Sequence, residues 1–155
     1  MWMAQTTASG MVPWYHWLGG APEDHRWDKT GRDFFEWIAK YQPHFVNRES
    51  VANIGVVFSE RTNAFYNPPA GTDTTEILQE LYYALREGRF LFDFVHENDL
   101  TPATLKKYTA LLLPNVANLS DAQCAALRQY VETGGSMLGT FETSRYNEWG
   151  VRRSQ

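Results

Sequence analysis

The sequence predicts an α/β protein built on an open, parallel β-sheet, and three observations favour this class. Short β-branched or leucine-rich runs alternate with amphipathic segments from residue 51 to residue 141. The apolar runs are continuous, as in strands that are buried on both faces of a parallel sheet. Capping residues and glycines separate the two kinds of segment, so strand and helix follow one another in regular order.

The first part of the chain, up to about residue 50, is predicted to hold one strand and one helix. Residues 11–16 are mainly apolar and are followed by glycines at positions 19 and 20. Pro13 cannot donate a ladder hydrogen bond, so a strand here would lie at a sheet edge or carry a bulge. A polar loop is expected over residues 21–31. A lone strand and helix cannot bury both of their faces, so this part must pack against something else.

A helix is expected after that loop. Apolar side chains recur at helical spacing and would share one face of it, and these are Phe34, Ile38, Tyr41 and Phe45. Pro43 is expected to end or bend the helix, because proline lacks the backbone N–H and its ring clashes with the preceding turn.

Four strands are expected after residue 51, over residues 53–59, 89–99, 109–115 and 136–141. Residues 60–73, between the first strand and the next helix, are interpreted as a loop because they contain two adjacent prolines and a glycine. Right-handed crossovers would make all the strands parallel, so their carboxyl ends would meet at one edge of the sheet.

Three helices are expected between these strands, over residues 73–88, 101–108 and 119–135. Each has at or near its start a residue that can cap its N-terminus, and these residues are Asp73, Thr101 and Ser120. Glu76 and Gln123 stand three residues after a cap and complete two capping boxes. Gly88 is expected to close the first of the three helices.

The composition excludes several classes of partner. The chain has 155 residues and a formal net charge of -4, and no run of Lys or Arg indicates nucleic acid binding. Its apolar runs are too short to span a bilayer, so no membrane is expected, and its first residues do not form a signal peptide. Cys124 is the single cysteine, which excludes an internal disulfide and favours a reducing compartment, so a cytoplasmic location is expected.

Glu142, Tyr146 and Glu148 form the polar group that best suits carbohydrate binding. They follow the fourth strand and so lie at the edge where ligands of such sheets bind. Two carboxylates and a phenol can hydrogen-bond a polyol, but a glycosidase needs two carboxyl groups about 5–9 Å apart across the sugar. The sequence does not fix that distance, so no catalytic residue is assigned. Contact of this loop with a neighbouring domain or subunit is the preferred interpretation.

Trp14 and His16 stand at the end of the first predicted strand. If that strand belonged to a (β/α)8 barrel, they would lie at its active rim, where an indole can stack on a sugar face. Simple hydrophobic packing explains them equally well. Aromatic residues make up 15% of the chain, and core and interface packing is preferred to ligand stacking as the cause of this excess.

Other reactive residues have simpler interpretations. Cys124 shares a helical stripe with Leu127 and Val131, which indicates an inert, buried thiol. The four histidines never stand at metal-ligand spacing, and no phosphate-binding loop follows a strand, so neither a metal nor a cofactor is expected. His96 and Glu97 are an acid/base candidate, although a solvated strand end is preferred.

Three stretches of the sequence resemble a known family. They read LLLPNVANLSDAQ, YVETGGSM and FETSRYNEWG, and they begin at Leu111, Tyr130 and Phe141. These stretches are similar to the β-galactosidase trimerisation domain, which occurs in family 42 and related glycoside hydrolases. The stretch from GMVPWYHWLGG to the first strand after residue 51 resembles the last strand and helix of a glycosidase barrel running into that domain.

The resemblance implies a three-layer, flavodoxin-like fold, akin to class I glutamine amidotransferases without their catalytic cysteine. It implies that residues 1–50 are the C-terminal remnant of a (β/α)8 barrel and that residues 51–155 are a trimerisation-type domain, incomplete at its C-terminus. The family's catalytic glutamates lie on earlier barrel strands, so this chain alone would be inactive. It would act on carbohydrate through the full-length protein and form a homo-oligomer, with residues 142–150 beside a barrel's active face.

A stand-alone small-molecule binder of the flavodoxin or amidotransferase class is the alternative. Its ligand would lie over Ser59 and Asn115, because the polar segment at residues 59–63 is similar to a flavodoxin phosphate loop. That segment lacks the run of small residues that lets backbone N–H groups converge on a phosphate.

Overall fold

The computed structural model describes residues 2–8, 10–14, 23–45, 49–70 and 73–154. The chain divides into two compact units, Met1–Glu49 and Ser50–Gln155. The first unit contains helix α1 (Trp2–Ala8), helix α2 (Arg26–Tyr41) and a short 3-10 helix (Gln42–His44). Among the residues described, no helix has both the length and the apolar character needed to cross a membrane.

The strand expected at residues 11–16 is wrong for residues 11–14, the part of it that the structure describes, because they form no strand. The described residues of the first unit contain no strand with which they could pair. The backbone N–H of Met11 instead donates to the carbonyl of Thr6 at 3.1 Å, which closes the turn after α1. Residues 15 and 16, and with them His16, lie outside the described residues.

Helix α2 begins at Arg26, inside the region that was expected to be a polar loop. Two ion pairs between side chains four residues apart support its first turns, and they join Asp28 to Arg32 and Lys29 to Asp33. Such pairs stabilise an exposed helix only slightly, yet they allow a polar segment to be helical. The helix ends at Tyr41, and Pro43 lies in the 3-10 helix that follows, as predicted.

The apolar face predicted for α2 is confirmed and consists largely of aromatic rings. Its half-buried members are Phe34, Ile38 and Tyr41, whereas Phe45, also half-buried, lies beyond the helix and directly after the 3-10 turn. The ring of Trp37 adds to this face, with its centroid 5.3 Å from that of Tyr41 and 5.5 Å from that of Phe45.

The second unit is built on a parallel sheet. Its described strands are β1 (Ile54–Phe58), β2 (Phe92–His96), β3 (Ala110–Leu113) and β4 (Ser136–Gly139). Their order is β2-β1-β3-β4, and each neighbouring pair is parallel. The predicted α/β class is therefore confirmed. The order matches the start of the flavodoxin-like arrangement, whose switch point lies between β1 and β3.

Helices accompany the sheet, and they are α3 (Glu60–Phe65), α4 (Thr74–Glu87), α5 (Pro102–Leu105) and α6 (Asp121–Glu132), with a 3-10 helix at Glu97–Asp99. Helix α3 was not expected, so the interpretation of residues 60–73 as a loop is wrong in its first half. The hydroxyl of Ser59 accepts a hydrogen bond from the N–H of Thr62 at 2.9 Å and so caps this short helix.

The three predicted N-terminal caps are confirmed, but only one of the two predicted capping boxes forms, because the side chain of Glu76 returns no hydrogen bond to the N–H of Asp73. The carboxylate of Asp73 accepts from two N–H groups in the first turn of α4, and the hydroxyl of Thr101 caps α5. Ser120 and Gln123 form the reciprocal capping box at the start of α6. Local sequence signals therefore fixed where these helices begin.

The core of the second unit includes residues of β1, β2 and β3 and of α5 and α6, among them Val57, Val95, Leu105, Leu111 and Leu127. Gly55 approaches this core closely, because a Cβ atom there would lie 2.8 Å from the side chain of Leu111. Cys124 packs against the margin of the core, and burial raises the pKa of its thiol. Val131 of the same helical stripe is exposed, unlike the prediction.

Candidate functional site

The carboxyl edge of the sheet gathers polar side chains from three separate segments. The group called here the Glu142 cluster consists of Tyr66, Asn115, Glu142, Arg145 and Tyr146. Tyr66 follows α3, Asn115 follows β3, and the other three lie in the segment after β4. Parallel pairing of the strands brings these segments together, since all strands end at the same edge.

The carboxylate of Glu142 is the centre of this cluster. It accepts hydrogen bonds from the hydroxyl of Tyr66 at 2.7 Å and from that of Tyr146 at 3.4 Å. The guanidinium of Arg145 donates to its other oxygen at 3.3 Å. The Glu142 side chain is 17% exposed. The group is thus already engaged within the chain, yet part of it still faces solvent.

The hydroxyl of Tyr66 stays protonated in this arrangement, because its pKa is raised. Burial raises the pKa of Tyr66 from its ordinary 10.0 to about 12, and the hydrogen bond to the Glu142 carboxylate acts in the same direction. The side-chain amide of Asn115 acts in the opposite direction. Tyr66 therefore remains a neutral hydrogen-bond donor across the physiological range and is not a general base.

Asn115 joins the ends of β3 and β4. Its side-chain oxygen accepts from the N–H of Glu142 at 3.2 Å, and its own N–H donates to the hydroxyl of Thr140 at 3.0 Å. The amide nitrogen of this buried side chain has no hydrogen-bond partner of good geometry, although it lies near enough to Tyr66 to influence the pKa of the phenol. Its unsatisfied donor is a polar group available to an incoming oxygen atom.

The backbone around Glu142 is strained. Asn115, Phe141 and Ser144 have φ angles of 50°, 53° and 62°, in the left-handed region that residues with a Cβ atom seldom adopt. Asparagine tolerates this region, whereas a bulky aromatic residue pays on the order of 1–2 kcal/mol. Backbone strain of this kind is concentrated at functional sites.

Glu97 forms a second polar group on the same edge, after β2. Its side chain is 2% exposed, and it accepts from the hydroxyl of Ser59 and from the N–H of Arg61. The Arg61 guanidinium lies 3.9 Å away, and the backbone carbonyl of Glu97 accepts from Gln123 at 2.8 Å. Glu97 thus joins the end of β2 to α3 through its carboxylate and to α6 through its backbone carbonyl, which is the geometry of a structural clamp.

His96 does not pair with Glu97. Its ring lies 3.7 Å from the carboxylate of Glu60, and its Nδ1 accepts from the N–H of Asn98 at 3.1 Å. The acid/base pair considered from the sequence is therefore not assembled. The preferred interpretation, a solvated strand end, is also wrong for Glu97, because Ser59, Arg61 and Gln123 enclose it.

A small cleft lies at the switch point between β1 and β3. Its volume is about 70 Å³, and polar side chains in its lining include Ser59, Thr62 and Asn115. Sites for drug-sized ligands and cofactors usually enclose about 300–1,000 Å³. The Ser59 hydroxyl is also committed to Glu97 and to the cap of α3. The geometry thus gives little support to the alternative of a nucleotide-sized ligand over Ser59 and Asn115.

The site residues expected from the sequence are distributed over both units. Glu142 and Tyr146 meet as expected, whereas Glu148 lines a separate polar recess with Asp121 and Arg152. Trp14 belongs to the first unit and is 74% exposed. His16 lies outside the described residues. In the described ranges, no three or more His, Cys, Asp or Glu side chains are grouped so that they could hold a metal ion.

Sequence reasoning did not assign three members of the cluster to it, and these are Tyr66, Asn115 and Arg145. Asn115 stands directly after a strand, which is a usable signal for a site residue in a parallel sheet. Tyr66 gave no signal, because it stands 76 positions before Glu142 and α3 was not expected.

Comparison with known proteins gives a consistent result. The family model of the β-galactosidase trimerisation domain matches residues 52–151. No curated protein matches the chain. Similar solved structures include a β-galactosidase from Bacillus circulans sp. alkalophilus, with a TM-score of 0.73 and 17% identity over 84% of this chain and 19% of that one.

Two further solved structures are similar. The β-galactosidase from Bifidobacterium adolescentis has a TM-score of 0.56 and 20% identity over 65% of this chain and 46% of that one. A catalytic mutant of Gan42B, a GH42 β-galactosidase from G. stearothermophilus, has a TM-score of 0.60 and 17% identity over 77% of this chain and 18% of that one. At such identities the likeness establishes the fold alone, and this chain spans less than half the length of each of the three.

Proposed function

The chain belongs to the family of β-galactosidase trimerisation domains, and from that premise we propose that it is the non-catalytic, subunit-associating portion of a glycoside-hydrolase-like protein. In this proposal residues 1–50 are the C-terminal remnant of a (β/α)8 barrel, and residues 51–155 are the associating domain. The full-length protein acts on a carbohydrate of the β-galactoside class and forms a homo-oligomer. The single cysteine supports a cytoplasmic location.

The hydrogen bonds that Glu142 already makes within the chain are the observation that supports the non-catalytic role. Its carboxylate already accepts from two phenols and one guanidinium. Hydrolysis by the usual mechanism needs two carboxyl groups that face a bound sugar about 5–9 Å apart. Glu97 is closed off from solvent, so it cannot serve as the second group. The carboxyl edge is therefore suited to contact and not to bond cleavage.

Glu142, Tyr146 and Glu148 are proposed to form a wall beside the carbohydrate site of a barrel. The strained backbone at Phe141 and Ser144 supports this role, because it fixes the direction of the segment that carries them. All three side chains are half-buried, so each retains surface on which a sugar hydroxyl can bind. They would orient the sugar without reacting with it.

Trp14 and His16 are proposed to lie near the rim of the barrel, as the resemblance implies. The absence of a strand at residues 11–14 removes the structural part of that argument. What supports the role of Trp14 is its large exposed indole, which suits stacking on a sugar. The role of His16 rests on the resemblance in sequence.

An assay of the 155-residue chain with chromogenic aryl β-galactosides tests the non-catalytic role. We expect no turnover above the buffer blank, with the wild-type chain and Glu142→Gln indistinguishable. Robust turnover by the wild-type chain that disappears in Glu142→Gln would overturn the proposal. Light scattering tests the associating role, and a strict monomer at high concentration would count against it.

A further inference from the structure

Three aromatic side chains at the carboxyl edge are largely exposed, and we call them the carboxyl-edge rings. They are Phe65 at 51%, Phe141 at 62% and Trp149 at 71% exposed. Phe65 ends α3, Phe141 follows β4, and Trp149 lies in the segment after the Glu142 cluster. All three fall within the range matched by the family model. Two of them, Phe65 and Trp149, are in contact, and apolar surface that a folded chain leaves uncovered commonly marks a site of interaction.

Phe65 and Trp149 are held as a pair. Their ring centroids lie 6.5 Å apart with the planes inclined by 56°. The side-chain oxygen of Asn147 accepts from the N–H of Trp149 at 3.0 Å and from that of Val151 at 2.9 Å. Gly150 has φ 78°, and a Cβ atom there would lie 2.8 Å from the carbonyl oxygen of Phe65. The turn that carries Trp149 therefore lies directly against the end of α3.

A single buried residue anchors both partners of this pair. The N–H of Asn118 donates to the hydroxyl of Thr62 in α3, and its side-chain amide donates to the carbonyl of Asn147, each at 3.1 Å. Asn118 is fully buried. The segments that bear Phe65 and Trp149 thus share one fixed point, and the rings lose little freedom when a partner covers them.

Phe141 lowers the stability of the isolated chain. Its φ of 53° is strained for a bulky side chain, and its ring gains little from burial here. Glycine would adopt the same backbone conformation without strain. The ring must therefore serve a purpose that the isolated fold does not show.

We propose that the carboxyl-edge rings form the central contact by which this chain binds a second copy of itself. The inference rests on the proposed function, because the family to which residues 52–151 belong is a trimerisation domain. Large, fixed aromatic rings at the centre of a contact supply most of the binding energy of protein interfaces. Arg145, Glu148 and Arg152 lie in the same segment and provide charges of both signs, which suits contact between like chains.

Sedimentation of the 155-residue chain over a range of concentrations tests this inference. Trp149→Ala and Phe141→Gly are expected to weaken self-association at least about tenfold. Phe141→Gly also relieves the left-handed strain, so its thermal midpoint should stay level or rise, which separates lost contact from lost folding. Tyr83→Ala is the matched control, since it removes an exposed ring of α4 and should leave association unchanged.

The possible outcomes distinguish this inference from the proposal on which it rests. A wild-type oligomer that both ring variants weaken, while Tyr83→Ala does not, supports it. A wild-type oligomer that persists in both ring variants overturns the contact surface and leaves the associating function standing. A monomeric wild-type chain overturns the associating function itself. Quenching of the tryptophan fluorescence of a monomer by lactose that is lost in Trp149→Ala would assign the rings to carbohydrate and overturn the inference.

Discussion

The carboxyl edge of the sheet holds two glutamates that have similar partners in different surroundings. Glu97 follows β2 and is 2% exposed, whereas Glu142 follows β4 and is 17% exposed. Each accepts a hydrogen bond from a hydroxyl and lies beside an arginine, which is Arg61 for Glu97 and Arg145 for Glu142. The chemistry of the two contacts is thus nearly the same.

The backbone that presents the two carboxylates differs. Glu97 begins a 3-10 helix, and its neighbours have ordinary φ angles. Glu142 directly follows Phe141 and shortly precedes Ser144, both of them left-handed. A carboxylate that only joins elements together needs no such strain. The comparison teaches how the two roles of a carboxylate can be told apart. A buried carboxylate on a backbone with ordinary φ angles indicates a structural role. A partly exposed carboxylate between residues with left-handed φ angles is a candidate for ligand or partner recognition.

Removal of the buried carboxylate should have the largest effect on stability. Glu97→Ala leaves the Ser59 hydroxyl and the Arg61 N–H without an acceptor, and we expect a loss of about 3 kcal/mol in the free energy of unfolding, measured in urea. Glu60→Ala is the control, because its side chain is 79% exposed beside His96 and should change stability by less than about 0.5 kcal/mol. Equal effects of the two variants would show that Glu97 is not a clamp.

Asn115 follows β3 and binds the strained segment that carries Glu142, so its replacement should have the second largest effect on stability. Asn115→Ala removes the acceptor of the Glu142 N–H and places a poorly tolerated residue at positive φ, with an expected cost of about 2 kcal/mol. Asn115→Gly removes the same acceptor but keeps the conformation, so it should cost about 1 kcal/mol less. Unfolding in urea measures both, and the reverse order would contradict the argument from strain.

The pKa of the Tyr66 phenol should depend on the charge of Glu142. Its pKa in the folded chain is about 12, above the ordinary 10.0, so the native state retains a proton that the unfolded chain releases. Stability should therefore fall as pH rises from about 10 to about 12. In Glu142→Gln the pKa should move downward but stay above the ordinary value, because burial is the largest cause.

The difference between the ultraviolet titrations of each chain with Tyr66 and with Tyr66→Phe isolates phenolate formation at Tyr66 among the eight tyrosines and so measures that pKa. Glu148→Gln is the control, since Glu148 is not among the groups that influence Tyr66. An unchanged titration in Glu142→Gln would mean that the carboxylate does not contact the phenol in solution.

The two arginines should give the smallest effects and the sharpest comparison. Their side chains are almost equally exposed, at 38% for Arg61 and 39% for Arg145, but Arg61 lies 3.9 Å from a buried glutamate and Arg145 lies 3.3 Å from a partly exposed one. We expect Arg61→Ala to cost about 1 kcal/mol and Arg145→Ala less than about 0.5 kcal/mol in urea unfolding. Equal losses would mean that burial of the glutamate does not set the strength of the contact.

The sequence predicted the second unit well where short-range signals decide the structure. The capping box of Ser120 and Gln123 and the cap at Asp73 need only a few neighbouring residues, and both formed as expected. The continuous apolar runs gave the parallel sheet for a similar reason, because burial on both faces shows in composition.

The remaining features depend on contacts that composition does not reveal. The bond between Tyr66 and Glu142 spans 76 positions, so it follows only from the register of the assembled sheet. The six-residue helix α3 was missed because its only signal is the spacing of Ser59 and Thr62 in front of a proline-rich stretch. The start of α2 was misplaced because ion pairs override the loop-like character of a polar segment.

The parallel order of the strands also has a consequence for biosynthesis. Ile54 of β1 pairs with Phe92 and with Ala110, which follow it by 38 and 56 positions (92 − 54 and 110 − 54). Ribosomes add about 5–20 residues per second, so β1 waits roughly 2–8 s for its first neighbour. During that interval both neighbouring strands of β1 are missing, so its valines lack the cover that the finished sheet gives them.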